Sequence, residues 1–315
     1  MENKNILLIL IKRSLEILKK DGIKGFFYAM KKYYEAYPSL HENLYYWLYS
    51  KISPSKLIIR DILGSKMYLN LEDFGLSKQL TLNGIREPEC TRIMKKELKK
   101  GMVIADIGAN IGYYTLLEAS IIGKTGKIYA IEPFPSNFDL LNKNINLNSY
   151  ENIIESYNIA ISNCSGTEKL YFKDKHNQCN MLENGLEGYV EVKTETFDNF
   201  MVNKQKPNLI RMDIEGYEYY VLDGMKKTIK QCNSCKMFIE LHLYQIDQKG
   251  LDYKKPIKIL FELGFKPKYI VKEYGPLKEE SFEYNQPIDN FFSFLREKHL
   301  LPPEYTHGFG LFLEK

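Results

Sequence analysis

The chain offers little that would commit it to a membrane, an oxidising compartment or nucleic acid. Its only targeting candidate, the apolar run Ile6–Ile11, stops at Lys12-Arg13, well short of the about 20 apolar residues a spanning helix needs. Glu2 offsets Lys4 ahead of that run and no small-residue cleavage site follows it, so a secretory leader is not expected either. Cysteine is sparse and odd in number, five residues, which excludes a dense disulfide scaffold and suits a reducing, cytoplasmic compartment. Cys232-Asn-Ser-Cys235 has no second Cys-x-x-Cys or His pair to complete a zinc site. Charge of one sign is also lacking: 44 basic against 40 acidic residues leave a formal net charge of +4. That balance provides no global field for nucleic acid, and no nucleic-acid partner is expected.

What is present divides at Ser53-Pro54. Residues 1–56 read as a helical extension rich in aromatics between lysines, with Phe26, Phe27, Tyr28, Tyr33, Tyr34, Tyr45, Tyr46 and Trp47 among them. This extension reads as a helical cap whose aromatics pack on the main domain, with two alternatives: aromatic faces that line an acceptor pocket, or an amphipathic stretch, Ile6 to Lys20, that makes peripheral contact with the inner membrane face. Residues 57–315 read as the main domain. A hairpin is predicted from Leu57–Arg60 and Lys66–Asn70 through Leu63-Gly64, followed by helices near 76–82 and 88–99. Strands at 102–106, 127–132 and 153–159 then alternate with helices near 112–122 and 136–147, which implies a parallel sheet. A polar excursion, 162–193, interrupts the alternation. It resumes with strand 209–214, helix 217–229, strand 237–243, helix 257–263 and strands 268–271 and 310–313.

The densest motif is Val103-Ile-Ala-Asp106-Ile-Gly108-Ala-Asn110-Ile-Gly112-Tyr-Tyr-Thr115, followed by Ile128-Tyr-Ala-Ile-Glu132-Pro133. It describes strand, glycine turn, helix and second strand, with an acid at each strand end. A dinucleotide fingerprint keeps its loop free of negative charge to receive a pyrophosphate. Here Asp106 stands at the mouth of the turn, Asn110 replaces the middle glycine and the third glycine is missing, which disfavours a nicotinamide dehydrogenase. A carboxylate there attracts an ammonium or sulfonium, both present in S-adenosylmethionine, while Glu132 is placed to accept from ribose hydroxyls. Gly108 and Gly112 permit the tight turn and Asn110 tolerates an unusual backbone angle. Tyr114 or Thr115, at the helix start, is expected to meet the methionine carboxylate.

In an open α/β sheet, ligands sit outside the carboxyl ends of the strands, which gathers Asp106, Glu132, Asp213, Glu215, Glu240 and His242 into one crevice. The segment Asn208-Leu-Ile-Arg-Met-Asp213-Ile-Glu215-Gly216 releases two carboxylates toward the methyl donor. The Asn/Asp-Pro-Pro-Tyr/Phe of adenine-N6 enzymes and the Pro-Cys of cytosine-C5 enzymes are absent. Carboxylates there suit a hydroxyl acceptor, and Asp213, Glu215 and His242 are each candidates for its general base. Oxygen ligands of this kind also suit Mg²⁺, but strand-end carboxylates commonly bind hydroxyls or cap helices, and no metal is expected.

Asp106-Ile-Gly-Ala-Asn-Ile-Gly112-Tyr-Tyr-Thr115, Ile131-Glu-Pro-Phe-Pro-Ser-Asn137, Thr196-Phe-Asp198, Arg211-Met-Asp-Ile-Glu-Gly-Tyr-Glu218 and Leu222-Asp-Gly224 together resemble the FkbM family of S-adenosylmethionine-dependent methyltransferases. The resemblance runs from about Gly101 to Leu243, with Asp73-Phe-Gly75 and Ile85-Arg-Glu-Pro88 similar to segments ahead of it. It implies a class I methyltransferase fold, Rossmann-like and mostly parallel, with seven strands, a reversed last strand and helices on both faces. It implies O-methylation of a sugar, glycan or polyketide-type hydroxyl, and Asp106, Gly108, Asn110, Gly112 and Glu132 as cofactor residues. Arg211 stands where the family usually has lysine, so no lysine role carries over. The alternative from another class is an inactive methyltransferase-fold protein that binds an adenosyl ligand or a glycan; the intact acids on both sides of the site count against it.

Overall fold

The structure is a computed structural model that describes residues 42, 46, 47, 49–172, 179–181, 188–275 and 278–315. The chain divides into two compact units, Met1–Lys56 and Leu57–Lys315. In the first unit, residues 46, 47 and 49–52 are helical, with Tyr46 buried and Trp47 exposed. Most of the aromatic extension, and the amphipathic stretch read as a membrane contact, lie outside the described residues. Among those described, no helix is long and apolar enough to cross a membrane.

The second unit opens with the hairpin β1 (Leu57–Ile62) and β2 (Ser65–Asn70), paired antiparallel. Its turn residues Leu63 and Gly64 both take positive φ, 51° and 90°, the primed turn that matches strand twist. Helices α1 (Leu76–Asn83) and α2 (Pro88–Glu97) follow, and the ring of Pro88 occupies the first turn, where a missing N–H costs nothing.

The main sheet is built from β3 (Val103–Ile107), β4 (Lys127–Ile131), β5 (Ile154–Tyr157), β10 (Leu209–Met212), β11 (Lys236–Leu241), β12 (Lys266–Gly275), β13 (Lys278–Glu283) and β14 (Phe309–Glu314). Their order is β13-β12-β14-β11-β10-β3-β4-β5, with β11, β10, β3, β4 and β5 mutually parallel and β14 antiparallel to both its neighbours. The sheet therefore has eight strands where seven were expected. The additional one, β13, pairs antiparallel with β12 at the edge; its sequence Lys-Glu-Glu-Ser-Phe-Glu carries too few apolar residues to read as a strand, and its ladder bonds on one side only.

The central strands are mostly apolar because both faces are covered, with Asp106 in β3 and Arg211 in β10 as buried charged exceptions that pair with each other. Ala105, Ile107, Ile210, Met212, Met237 and Ile239 enter one core, while Ile104, Leu209 and Phe238 enter the other. The second core is closed by α2, α3 (Tyr113–Ile122) and α4 (Pro135–Leu147), through Ile93, Met94, Leu116, Leu117 and Leu141. The first packs the segments after β10 and β11, through Val221, Leu222, Ile229 and Leu260.

The polar excursion forms a separate four-stranded sheet, ordered β6 (Ala160–Ser162), β9 (Gly188–Thr196), β7 (Gly166–Phe172), β8 (Cys179–Asn180). The helix expected at 217–229 is broken into an α-turn at Glu218–Val221, a 3₁₀ turn at Leu222–Met225 and a last helical turn at Lys226–Lys230. Within the 3₁₀ turn the chain passes close to β6: a Cβ on Gly224 would lie 2.2 Å from the Ser162 carbonyl oxygen. Asp198 caps the last turn, accepting from the amides of Lys227 and Thr228, so the Thr196-Phe-Asp198 motif is structural.

Candidate active site

The turn after β3 is held by bonds within itself and to the end of β4. Gly108 and Ala109 amides donate to the Ile131 carbonyl at 2.9 and 3.0 Å, and that of Gly112 donates to the Ala109 carbonyl. The amide of Asn110 donates to Glu132 Oε2 at 2.8 Å, and that of Ile111 to Asn110 Oδ1 at 2.8 Å. A phosphate cradle needs such amides turned toward its ligand; here all five are committed and two carboxylates flank them, a donor set that fits a cationic cofactor instead. Gly108 has φ +84°, and a Cβ there would lie 2.1 Å from the Asp213 carbonyl oxygen. Only glycine lets the cofactor turn and the strand end after β10 approach so closely.

Glu132 sits at the end of β4, buried, its Oε1 accepting from the Phe134 amide. Burial raises its carboxyl to about 7 against the two backbone donors. Asp106 is fully buried and already paired: Thr115 Oγ1 donates to its Oδ2 at 2.5 Å and Arg211 Nη1 to its Oδ1 at 3.0 Å. Strand register accounts for the second contact, because Arg211 and Asp106 are direct neighbours across β10 and β3. Thr115 thus anchors Asp106 from below, and Tyr114 sends its hydroxyl to Glu87 Oε2 at 2.8 Å. Both side chains make their hydrogen bonds inside the protein, Thr115 to Asp106 and Tyr114 to Glu87.

The other half of the site is built where β10 and β11 end. Glu215 takes φ 55°, a left-handed conformation that costs a non-glycine residue and is retained in functional turns, and Gly216 follows at φ 99°, which glycine adopts freely. His242 follows β11 and is buried among acids. Its Nδ1 lies 3.2 Å from Glu218 Oε1, and its Nε2 lies 3.3 Å from Glu240 Oε1 and 3.5 Å from Glu215 Oε2. Burial alone would lower its pKa, but the carboxylates of Glu215, Glu240 and Glu218 outweigh that and raise it well above 6.5. His242 is therefore an imidazolium at neutral pH, with both ring nitrogens donating. The sequence left Asp213, Glu215 and His242 as candidates for the base, and the carboxylates around the ring favour its charged form.

Asp213 remains ionised: burial would raise its pKa, yet Arg211, Arg86 and His242 hold it below the usual range. Arg211 Nη2 donates to its Oδ2 at 3.2 Å. Glu240 is raised to about 7, by burial first and then by Asp213. Glu273, from β12, is raised to about 10 by burial and by Glu240 and Glu87.

Two sets here bring ligand atoms within 4.8 Å of one another: Asp213, Glu215 and His242, and beside them Glu87, Glu240 and Glu273. Arg211 and the His242 imidazolium balance the first, and Arg86, paired with Glu87, balances part of the second. Glu87, Glu218, Glu273 and Gly308 had been given no part in the site. Arg86-Glu87-Pro88 carried a usable signal in its family-like motif. Gly308 carried none, although a Cβ there would lie 2.4 Å from Glu240 Oε1 and 2.8 Å from His242 Nε2.

A family profile of the methyltransferase FkbM domain matches residues 106–267, a span running from the first carboxylate of this site into β12. The chain belongs to the FkbM methyltransferase family. Its methyl donor is accordingly S-adenosylmethionine, and the loop's spent amides and paired acids fit that cation. Among curated relatives of this FkbM chain, the hexuronic acid methyltransferase AglP of Haloferax volcanii is 27% identical over 179 residues, covering 56% of this chain and 68% of AglP. A protein-L-isoaspartate O-methyltransferase of Methanococcoides burtonii is 35% identical over 71 residues, 22% of this chain and 35% of that protein. Of solved structures, the FkbM methyltransferase from Methylobacillus flagellatus aligns with a TM-score of 0.40 at 15% identity, over 67% of this chain and 43% of that one.

Proposed function

We propose that this protein methylates a hydroxyl group of a sugar, glycan or related natural product, with the acceptor held against Asp213, Glu215, Glu240 and His242. The observation that carries the reading is the Glu215–His242–Glu240 arrangement, two carboxylates flanking a buried imidazolium at the strand ends beside the cofactor turn. When bound, S-adenosylmethionine supplies a methyl group activated by its sulfonium. The chain's part is to place the acceptor oxygen, keep water away and take one proton from it. Glu240 suits that task, since a carboxyl titrating at about 7 is partly ionised at neutral pH and strong enough as a base to matter. His242 is a positioning residue, fixing Glu215 and Glu240 through Nε2 while Glu218 fixes the ring through Nδ1. Asp213 keeps Arg211 in place. The sugar acceptor is supported by the likeness to the hexuronic acid enzyme. On the cofactor side, Asp106, Gly108, Asn110, Gly112 and Glu132 form the binding turn, with Thr115 supporting Asp106.

Incubation of the purified chain with S-adenosylmethionine and a panel of neutral and acidic glycosides, read by mass spectrometry and NMR, tests this. The expected product carries one new methyl ether. Glu240→Gln should lower transfer about 100-fold or more while leaving S-adenosylhomocysteine affinity within a few-fold, and the wild-type rate should rise with pH through about 7 as Glu240 ionises. Methylation on nitrogen or carboxylate, or a fully active Glu240→Gln, would overturn the reading.

A further inference from the structure

Arg211 links the two halves of the site. It is 4% exposed, and its fork spans both strand ends: Nη1 donates to Asp106 Oδ1 at 3.0 Å and to the Gly108 carbonyl at 3.3 Å, while Nη2 donates to Asp213 Oδ2 at 3.2 Å. The guanidinium carbon lies 4.1 Å from the centroid of the Tyr114 ring, a cation–π contact that supports the group from one side. Glu118 of α3 is buried near this group, and neither of its oxygens has a partner among the described residues. Burial first, then the nearby Asp106, keeps its carboxyl neutral. Among the described residues, Arg211 is the cation paired directly with both Asp106 and Asp213; Arg86 and His242 act on Asp213 as well. A lysine would bring the same charge but, as a single ammonium, lacks the planar fork that reaches both acids.

S-adenosylmethionine and its product S-adenosylhomocysteine differ by one methyl group and one positive charge on sulfur. Without Arg211, buried Asp106 and partly buried Asp213 would lose the cation they share, leaving Asp213 only the more distant charges of Arg86 and His242, and would hold the cationic cofactor more tightly than the neutral product. With Arg211 between them, much of that preference is already cancelled inside the protein. We propose that Arg211 sets how strongly the site distinguishes the cationic cofactor from its neutral product, acting as a built-in cation that limits the charge-based part of cofactor affinity. The inference rests on the reading that Asp106 and Asp213 border the bound cofactor. It assigns Arg211 a selectivity role separate from proton removal.

The test is calorimetric titration of S-adenosylmethionine and S-adenosylhomocysteine into the wild type, Arg211→Met, Arg211→Lys and Asp213→Asn, read as the ratio of the two dissociation constants. Arg211→Met should shift the ratio toward the cationic ligand by roughly tenfold or more, about 1.4 kcal/mol. Arg211→Lys should stay within about threefold of wild type, and Asp213→Asn, which removes a negative charge, should move the ratio the opposite way. A merely structural arginine would weaken both ligands together; an unchanged ratio in a folded Arg211→Met overturns the proposal. Should circular dichroism show Arg211→Met unfolded, Asp213→Asn decides alone, and a ratio equal to wild type overturns it. Failure of both ligands to bind the wild type would overturn the cofactor reading beneath it, a result distinct from an unchanged ratio.

Discussion

Glu132→Gln should make the ligand-free protein more stable at alkaline pH while weakening cofactor binding. The reasoning starts from a carboxyl that is 5% exposed and titrates at about 7 in the folded chain, against an ordinary 4.5. Below pH 4.5 it is neutral in both folded and unfolded chains. Between 4.5 and 7 the unfolded chain releases its proton and the folded one retains it, so stability falls across that interval. Above 7 the deficit levels off at about 3 kcal/mol. Glutamine cannot ionise, so the variant lacks this slope. Its carboxamide also accepts at one atom only, and losing one of the bonds from the Asn110 and Phe134 amides costs about 1–3 kcal/mol at every pH. The difference in unfolding free energy between variant and wild type should therefore rise by about 3 kcal/mol from pH 4.5 to pH 8, whatever its sign at the start. Urea unfolding of both proteins at pH 4.5, 6 and 8 measures it. In the same samples S-adenosylhomocysteine affinity should fall about tenfold or more for the variant if, as proposed, Glu132 accepts from the ribose hydroxyls. Parallel pH profiles for the two proteins would refute the argument, because they would mean that Glu132 is ionised in the native state at ordinary cost.

Thr115→Val removes the hydroxyl that donates to buried Asp106 and should destabilise the ligand-free chain by about 1.5–3 kcal/mol, with Thr115→Ser close to wild type; denaturant unfolding without ligand checks this, and a loss confined to cofactor binding would contradict it. Gly108→Ala forces a Cβ against the Asp213 carbonyl at positive φ and should cost about 2 kcal/mol or more and abolish S-adenosylhomocysteine binding, seen together in a thermal shift and a titration. A wild-type thermal midpoint in that variant would mean that the two loops are not in contact.

Much of the fold could be read because each central strand announces itself twice, by an apolar run and by the acid that ends it. Val103–Ile107 closes on Asp106 and the glycine turn, Lys127–Ile131 on Glu132. Gly108 and Asn110 were legible for the same reason, since few residue types accept their backbone angles. The edge strand β13 was not, because a strand bonded on one side alone needs little apolar sequence. The partners of the site residues were hidden as well. Nothing in the chain states that Arg211 lies beside Asp106, 105 positions away; that follows from strand register. The protonation of His242 was equally out of reach, since it depends on Glu215, Glu218 and Glu240 converging from separate elements. The Thr115–Asp106 bond was hidden too, since a threonine at a helix start carries no mark of the way its side chain turns.

The most direct test of the central claim, that the turn between β3 and α3 takes S-adenosylmethionine and not a phosphate cofactor, is a calorimetric comparison of S-adenosylhomocysteine with NAD on the wild-type chain. The amides spent on Ile131, Glu132 and Asn110 predict micromolar binding of S-adenosylhomocysteine and none of NAD. Tight NAD binding with no response to S-adenosylhomocysteine would contradict it.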